Sequence, residues 1–372
     1  MIKALNVLAL TCSGALKSVK CAIVSTDGVD MYQTYLKKRF AIPDDLRAQI
    51  VSVMGKNAAY PNEKIFIDAA DDKLTAFLID IIEEIKNQAP VKIDLLGIEG
   101  PTIALDAAKK YTYQLGRGRQ IFEHFALPTA THFHNSDILH GGQGTPLGAT
   151  YYQALALKLE KPTLFIDIGG ITTLTFIDAL GQICAFDAAP GNALLDRFMQ
   201  KHAGLEMDYN GKAAALGTPD FKIVSNLMRC DFFEKQPPKA LVRDAFKNKE
   251  EHFEGLSIED GAATIVEFIA EAVDVSVKTL LPEKPASTII CGDGAKNPTL
   301  MRAIRQKLKT ENIKTEDILP QFLPDDGEAF AFLAARTFYS LPITFPSTTG
   351  VTAPLTGGKL YSKEILNDKA VY

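Results

Sequence analysis

The sequence predicts an α/β protein made of two lobes that share one plan, and three observations carry this. A chain of 372 residues is long for a single hydrophobic core, so two domains or two lobes of one architecture are expected. Two strand–turn–strand units with small-residue turns occur near residues 10–20 and 166–175. Each is followed by alternating strand and helix patterns, as in a duplicated α/β domain. The expected division is 1–135 plus about 341–372 for one lobe and 136–340 for the other. A cleft between them would receive the loops at 11–18, 137–144, 167–173 and 291–297.

Composition narrows the partners. Hydrophobic residues at 47% with 23% charged residues supply core enough for both lobes. The formal net charge of −5 argues against nucleic acid or an anionic membrane, which need clustered Lys and Arg, and favours a small molecule. Cys12, Cys21, Cys184, Cys230 and Cys291 stand far apart, odd in number and without a CxxC pair. That suits reduced thiols better than a disulfide framework or a zinc site. The opening MIKALNVLALTC imitates a secretory leader, but its apolar run is short and continues into another strand pattern. With no run of ~18 apolar residues, no membrane span and a cytoplasmic location are expected.

In chain order, residues 4–10 and 19–25 read as strands joined by the turn TCSGALKS, in which Lys17 and Lys20 add positive charge. Free backbone N–H groups in such a turn would cradle a phosphate; a plain hairpin with solvated lysines is the alternative. Residues 44–53 and 71–88 read as helices, the second presenting Leu74, Phe77, Leu78, Ile81, Ile82 and Ile85 on one face as core. VKIDLLGIEGPT is a strand ending in a glycine turn, and a short helix then leads to a strand expected to deliver Asp137. His132 and His134 alternate along that strand, but no third ligand stands at a metal-binding spacing. In HFHNSDILHGGQGTPL, Asp137 precedes glycines 141, 142 and 144, so its carboxylate is placed to accept a proton beside a loop that can approach a ligand.

LFIDI then reads as a buried strand bringing Asp167 to Gly169 and Gly170, a turn whose amides would meet phosphate oxygens while the acid organises Mg²⁺. Asp187 falls at a strand end, and Asn192 is expected to cap the next helix. Residues 207–217 read as a loop and DFFEKQPPKALVRDAFK as a surface excursion. Residues 260–278 form an amphipathic helix, and Gly292, Gly294 and Asn297 form a turn suited to an adenosine or a sugar. Glu328 lies in the first turn of the last long helix, where acids are favoured anyway.

These stretches resemble, in order and over nearly the whole chain, the 1,6-anhydro-N-acetylmuramic acid kinases, relatives of sugar kinases, heat-shock chaperone ATPases and actin. FHNSDILHGGQGTPL resembles the family's FRxxDxAAGGQGAPL, and DIGGITTLT resembles NIGGIANLT. FDAAPGNALLD resembles FDTGPGNALLD, PPKALVRDAF resembles PPKSTGREDF, CGDGAKNPTLM resembles CGGGAxNPxLM, and LPDDGEAFAFLAARTF resembles PDxxEAxAFAxLAxRxL. The resemblance implies a two-lobed actin-like/sugar-kinase (ribonuclease H-like) ATPase fold, ATP and Mg²⁺ as cofactors, an amino sugar as substrate and a homodimer. Asp137 would be the general base on a water that opens the internal ether, while the released O6 takes the γ-phosphoryl group. Glu99, Asp187, Asn192 and Glu328 would face the sugar. Ser13, Gly14, Lys17, Asp167, Gly169, Gly170, Gly292, Gly294 and Asn297 would hold the nucleotide.

The chain also departs from the family's pattern. The phosphate loop MSGTSLDGVDVAL becomes CSGALKSVKCAI, one residue shorter, with Lys17 and Lys20 where the two aspartates stand and Ser18 for the glycine. SHGQT becomes IEGPT, with Glu99 for the histidine and Pro101 for the glutamine, and FDTGPGN acquires Ala188 and Ala189. These changes leave two other expectations beside the active kinase: a non-catalytic sugar- or nucleotide-binding relative, and a kinase for a different amino or anhydro sugar.

Overall fold

The computed structural model describes residues 2–12, 14, 16–241, 245–309, 313–314 and 325–363. It divides into two compact units, Met1–Leu155 with Asp325–Tyr372, and Ala156–Pro324.

The first unit opens with β1 (Leu5–Cys12), β2 (Ser18–Thr26) and β3 (Met31–Ala41), then α1 (Asp44–Ser52) and α2 (Pro61–Gln88). β4 (Leu95–Glu99), the hairpin β5 (Thr102–Asp106) and β6 (Tyr111–Gln114), α3 (Gly118–Phe125), β7 (Thr129–Thr131), α4 (Asn135–Leu139) and α5 (Ala149–Leu155) follow. The second unit runs through β8 (Thr163–Ile168), β9 (Ile171–Ile177), β10 (Ile183–Pro190), α6 (Asn192–Ala203), α7 (Lys212–Leu216), α8 (Phe221–Met228), α9 (Asp231–Glu234), α10 (Ile258–Leu280), β11 (Ser287–Cys291), α11 (Pro298–Leu308) and β12 (Ile313–Lys314). The chain then returns to the first unit with α12 (Asp326–Phe338) and β13 (Lys359–Tyr361).

Both sheets follow one topology. The first has the order β13-β7-β4-β1-β2-β3 and the second β10-β9-β8-β11-β12. In each, three antiparallel strands form a meander whose first strand pairs in parallel with the next strand, and that strand with a fifth. This repeated 3-2-1-4-5 order is the ribonuclease H-like arrangement of the two-lobed actin-like and sugar-kinase fold.

Apolar runs explain why the central strands sit where they do. β1, LNVLALTC, is buried on both faces because successive side chains point to opposite sides. Leu8 and Leu10 enter the core under α2 with Leu74, Leu78 and Ile82. Val7 and Ala9 enter a second core with Ala331, Ala334 and Ala335 of α12. The small residues of α12 let it lie close on β1, β2 and β4: a Cβ at Gly97 would come within 2.9 Å of Ala334. In contrast, β3 is half solvated and carries Lys37 and Lys38, a charged edge that discourages further strand pairing. In the second unit α10 is buried along most of its length, with Ile265, Phe268, Ile269, Ala272 and Val273 in one cluster with Ile166, Phe176 and Phe186, and it carries a charged stripe of Glu267, Glu271, Asp274 and Lys278.

The division differs from the sequence expectation. Residues 136–155 and α12 belong with the first unit, since the alanine face of α12 seals the α12 side of its sheet. Residues 207–217 are not a plain loop but a 3₁₀ turn and α7, in which the run KAAAL favours helix. No helix among the described residues is long and apolar enough to cross a membrane.

Candidate active site

Asp137 is delivered by a helix rather than a strand. β7 ends at Thr131, His132 adopts a left-handed conformation at φ 56°, and the chain turns into the short helix α4, which carries Asp137. The expectation that His132 and His134 alternate on a strand is therefore corrected: the two rings serve different tasks. The carboxylate of Asp137, 1% exposed, accepts a hydrogen bond at Oδ1 from the Gly144 N–H, 2.6 Å, and at Oδ2 from the Thr349 hydroxyl. Two donors hold it as an oriented acceptor. The GGQG segment owes one of its glycines to this approach, because a Cβ at Gly142 would lie 2.1 Å from Asp137 Oδ1.

His134 anchors the same loop. Nδ1–H donates to the Gly144 carbonyl, and Nε2–H donates to Glu99 Oε1, 2.8 Å, at the end of β4. Burial pulls the His134 pKa down, but the Glu99 charge and these hydrogen bonds raise it above the ordinary value, so the imidazolium form is favoured. Glu99 is 8% exposed, and its Oε2 is buried with no partner among the described residues. Glu99 and His134 stand where the resembled motifs have histidine and arginine, so two departures from the pattern meet as one ion pair.

Glu328, in the first turn of α12, accepts from Thr34 at 2.6 Å and Tyr151 at 2.9 Å and pairs with Lys37 at 2.9 Å. Nearby Lys20 pairs with Asp326 at 2.6 Å, so the charge brought by this replacement is met by an acid of α12. The Lys17 carbonyl accepts from the Ile42 N–H, 3.0 Å, which fixes the backbone there. Gly14 lies in the turn between β1 and β2, and Ser13 lies outside the described residues.

In the second unit, Asp167 sits near the end of β8, opposite Cys291 of β11. The turn after β11 folds against it: a Cβ at Gly292 would lie 2.4 Å from Asp167 Oδ1, and one at Gly294 2.2 Å from Ile168. Gly169 and Gly170 join β8 to β9, and their carbonyls accept the N–H groups of Asn192 and Ala193 at 2.9 and 3.3 Å. Asn192 is thus the first residue of α6 rather than its cap. Gly191 occupies the cap position, where no side chain caps the helix. Asn297, by contrast, is a cap: its Oδ1 accepts from Thr299 N and Leu300 N.

Asp187, 2% exposed, accepts from Thr173 Oγ1 at 2.8 Å and Leu241 N at 2.7 Å, so both oxygens are engaged inside the unit. It lies within β10, at a bulge, rather than at the strand's end. The segment after α9 is accordingly not a surface excursion throughout: Lys239 is 3% exposed, donates to the Phe232 carbonyl, and lies 4.5 Å over the Phe232 ring. Burial pushes Asp187 up to about 6 and Lys239 down to about 8, against their mutual attraction.

Within each unit the structure gathers the residues singled out in sequence: Glu99, His134 and Asp137 in the first, and Asp167 with the 169–170, 191–192 and 292–294 turns in the second. Sequence reasoning missed Thr349 and Tyr151. Thr349 lies 212 residues from Asp137 and Tyr151 lies 177 from Glu328, so no local pattern marks either partner. No group of three or more His, Cys, Asp or Glu among the described residues could hold a metal ion by itself.

A family model described as anhydro-N-acetylmuramic acid kinase matches residues 6–363. A protein of that name from Methylobacterium nodulans is 36% identical over 294 residues, 78% of this chain and 78% of the relative. Relatives of the same name from Rhodopseudomonas palustris and Bradyrhizobium diazoefficiens are each 32% identical. They cover 96% and 95% of this chain and 99% and 98% of their own lengths.

Proposed function

The chain belongs to the anhydro-N-acetylmuramic acid kinase family, and from that premise we propose that it uses ATP to convert 1,6-anhydro-N-acetylmuramic acid into N-acetylmuramic acid 6-phosphate, an intermediate of peptidoglycan recycling. One observation supports this reading above the others: Asp137 is a buried carboxylate with a main-chain N–H on one oxygen and a hydroxyl on the other, beside a loop with no side chain at position 142. Asp137 takes a proton from water as the water oxygen bonds to the anomeric carbon. The bond from that carbon to O6 breaks, O6 bonds to the γ-phosphorus, and ADP leaves. The Gly144 and Thr349 donors fix the direction of the carboxylate, and the His134–Glu99 pair holds the loop that carries Gly144. Glu99 Oε2, buried with no partner among the described residues, would accept a sugar hydroxyl.

The turns at Gly169–Gly170 and Gly292–Gly294 would take the nucleotide. A Mg²⁺ ion on ATP needs only one or two protein carboxylates besides the phosphates, a role that Asp167, at the end of β8 against the Gly292 backbone, would fill. When bound, Mg²⁺ would neutralise phosphate charge. Asp187 and Asn297, engaged in hydrogen bonds of their own, would shape the nucleotide side rather than touch a ligand. The same reading includes a homodimer in the cytoplasm, which sedimentation of the purified chain tests for its oligomeric part.

A second reading, a relative impaired in turnover or suited to another amino sugar, is favoured by the charge reversals at Lys17 and Lys20 and by the Lys20–Asp326 pair. Incubation with Mg²⁺–ATP and the anhydro sugar, followed by mass spectrometry of the products, separates the two. A sugar 6-phosphate formed in step with ADP is expected; sugar binding without any phosphorylated product would leave the second reading standing.

A further inference from the structure

Gly144 is bonded on both sides. Its N–H donates to Asp137 Oδ1 at 2.6 Å, and its carbonyl accepts from His134 Nδ1–H. The residue adopts φ 77°, and a Cβ there would lie 2.7 Å from Ile138, so the turn requires glycine and has little slack. A movement of the His134 ring is therefore passed to the donor that aims the Asp137 carboxylate.

The ring itself stands between two acceptors. Nδ1 meets a carbonyl, which can only accept, and Nε2 meets the Glu99 carboxylate at 2.8 Å. Both contacts are hydrogen bonds at once only when both nitrogens carry a proton, which is the charged ring. A neutral ring turns a lone pair toward one acceptor and gives up either Glu99 or the Gly144 carbonyl.

The neighbouring charges act with this geometry. Glu99 on β4 and Asp137 on α4 are acidic, and burial opposes their pull, yet the balance raises the His134 pKa above its ordinary value. His132, in the turn after β7, is a basic neighbour whose own pKa burial lowers, and Lys359 of β13 acts on His132 in the same direction. Cys12, at the end of β1, faces Glu99 with a thiol that burial pushes up to about 12, so it adds no charge. The resembled motifs have arginine at position 134, a cation that stays charged at any working pH. Histidine makes the same grip titratable.

We propose that His134 is a positioning residue whose charged ring clamps Gly144 against Asp137, so that this chain loses turnover on the alkaline side as the ring discharges and the clamp opens. The clamp is fully present below the ordinary histidine pKa and is lost as pH rises through the raised folded value. The proposal rests on the kinase reading for the role of Asp137 as base.

Three readouts on the full chain test it. Nitrogen-15 NMR of the six histidines, with His134 assigned by its loss in His134→Gln, reads the ring without substrate. Both ring nitrogens should be protonated at about pH 6, with discharge above about 6.5. The Gly144 amide resonance should shift with the same midpoint, and so should the alkaline fall of kcat with Mg²⁺–ATP and the anhydro sugar. Glu99→Gln keeps an acceptor for Nε2–H and removes the charge, so all three midpoints should move down together by about one to three units. His134→Gln should flatten the alkaline fall and lower kcat by about tenfold or more, with KM changed far less.

A ring with one protonated nitrogen at about pH 6, or a Glu99→Gln variant with its midpoints unmoved, would overturn the proposal. An equal loss of kcat at every pH would reduce the pair to a structural contact and overturn it as well. Phosphorylation with a Gly144 amide indifferent to the ring sinks the clamp alone. A Gly144 amide that follows the ring in a chain that forms no sugar phosphate sinks the kinase reading and leaves the clamp.

Discussion

Asp137 and Asp187 are buried to the same degree and bonded by the same kinds of donor. Asp137 receives a main-chain N–H from Gly144 and a hydroxyl from Thr349, and Asp187 receives a main-chain N–H from Leu241 and a hydroxyl from Thr173. The surroundings separate them. Asp187 lies near Lys239, a cation packed on aromatic rings at 4.5 and 5.9 Å, and its two bonds tie β10 to the 239–241 strap and to β9. Asp137 instead lies against a loop stripped of a side chain at position 142 and steadied by the His134 ring at the Gly144 carbonyl. Hydrogen-bond inventory alone therefore does not assign a role to a buried acid. What surrounds the carboxylate, a closed strap or an approachable loop, does.

The largest effect that would sharpen this contrast is on turnover. Asp137→Asn keeps shape and one acceptor but cannot take a proton, so phosphorylation should fall on the order of 10³-fold, within the usual span for loss of a general base. Sugar binding and melting temperature should change little. A variant that keeps more than a tenth of wild-type turnover would place the base elsewhere. Asp187→Ala should do the reverse. It leaves the Leu241 N–H and the Thr173 hydroxyl unpaired and Lys239 uncompensated, a loss of about 3 kcal/mol measured by denaturant unfolding. If Asp187→Ala is as stable as the wild type and only sugar affinity falls, Asp187 is a ligand after all and the contrast fails.

How much of this was legible in sequence follows from distance along the chain. The 3-2-1-4-5 sheets announce themselves through β1–β2 and β8–β9, whose apolar runs and tight glycine or small-residue turns are local signals. β3 and the β5–β6 hairpin were not singled out: β3 is half solvated and its sequence MYQTYLKKRFA does not alternate apolar with polar residues, and the hairpin is short. Asp137 and its glycine loop were readable because acid and glycines lie within eight residues of one another in the sequence. Their partners were not, since Thr349 and Glu99 come to Asp137 and His134 only through tertiary folding. The His132–His134 alternation misled because a residue in the left-handed region ends the strand, and β-periodicity cannot register a single backbone turn of that kind. The lobe boundary was misplaced for a related reason: whether α12 belongs to one unit or the other depends on which sheet its alanines meet, not on the helix itself.

A smaller effect extends the comparison to a third buried acid. The Asp71 carboxyl is pushed up to about 6 by burial, with the Gly116 N–H and Arg117 acting in the opposite direction. A folded-state pKa above the unfolded one means that the native state holds its proton longer. The resulting stability is fully present below about pH 4 and is lost as pH rises through about 6. Asp71→Asn keeps the acceptor for the Gly116 N–H and removes the titration, so between pH 4 and 7 the wild type should lose about 2 kcal/mol more than the variant. Parallel stability curves for the two proteins would show that Asp71 stays ionised and that water reaches it more freely than its 4% exposure implies.

The smallest effect concerns the Lys20–Asp326 pair. Its geometry, 2.6 Å, is as tight as the Gly144 bond to Asp137, yet half of the Asp326 side chain faces water. Solvent screens such a pair, so a double-mutant cycle of Lys20→Met and Asp326→Asn should return a coupling of no more than about 1 kcal/mol, falling further in high salt. Lys20→Asp, which restores the acid of the resembled motif, should then lower stability only slightly, through like charge against Asp326, and Lys20→Asp with Asp326→Lys should recover it. A coupling well above 1 kcal/mol that is insensitive to salt would mean that Lys20 behaves like Lys239, as a buried charge fixed by its surroundings, and the replaced phosphate loop would then be a structural strut rather than a surface open to nucleotide.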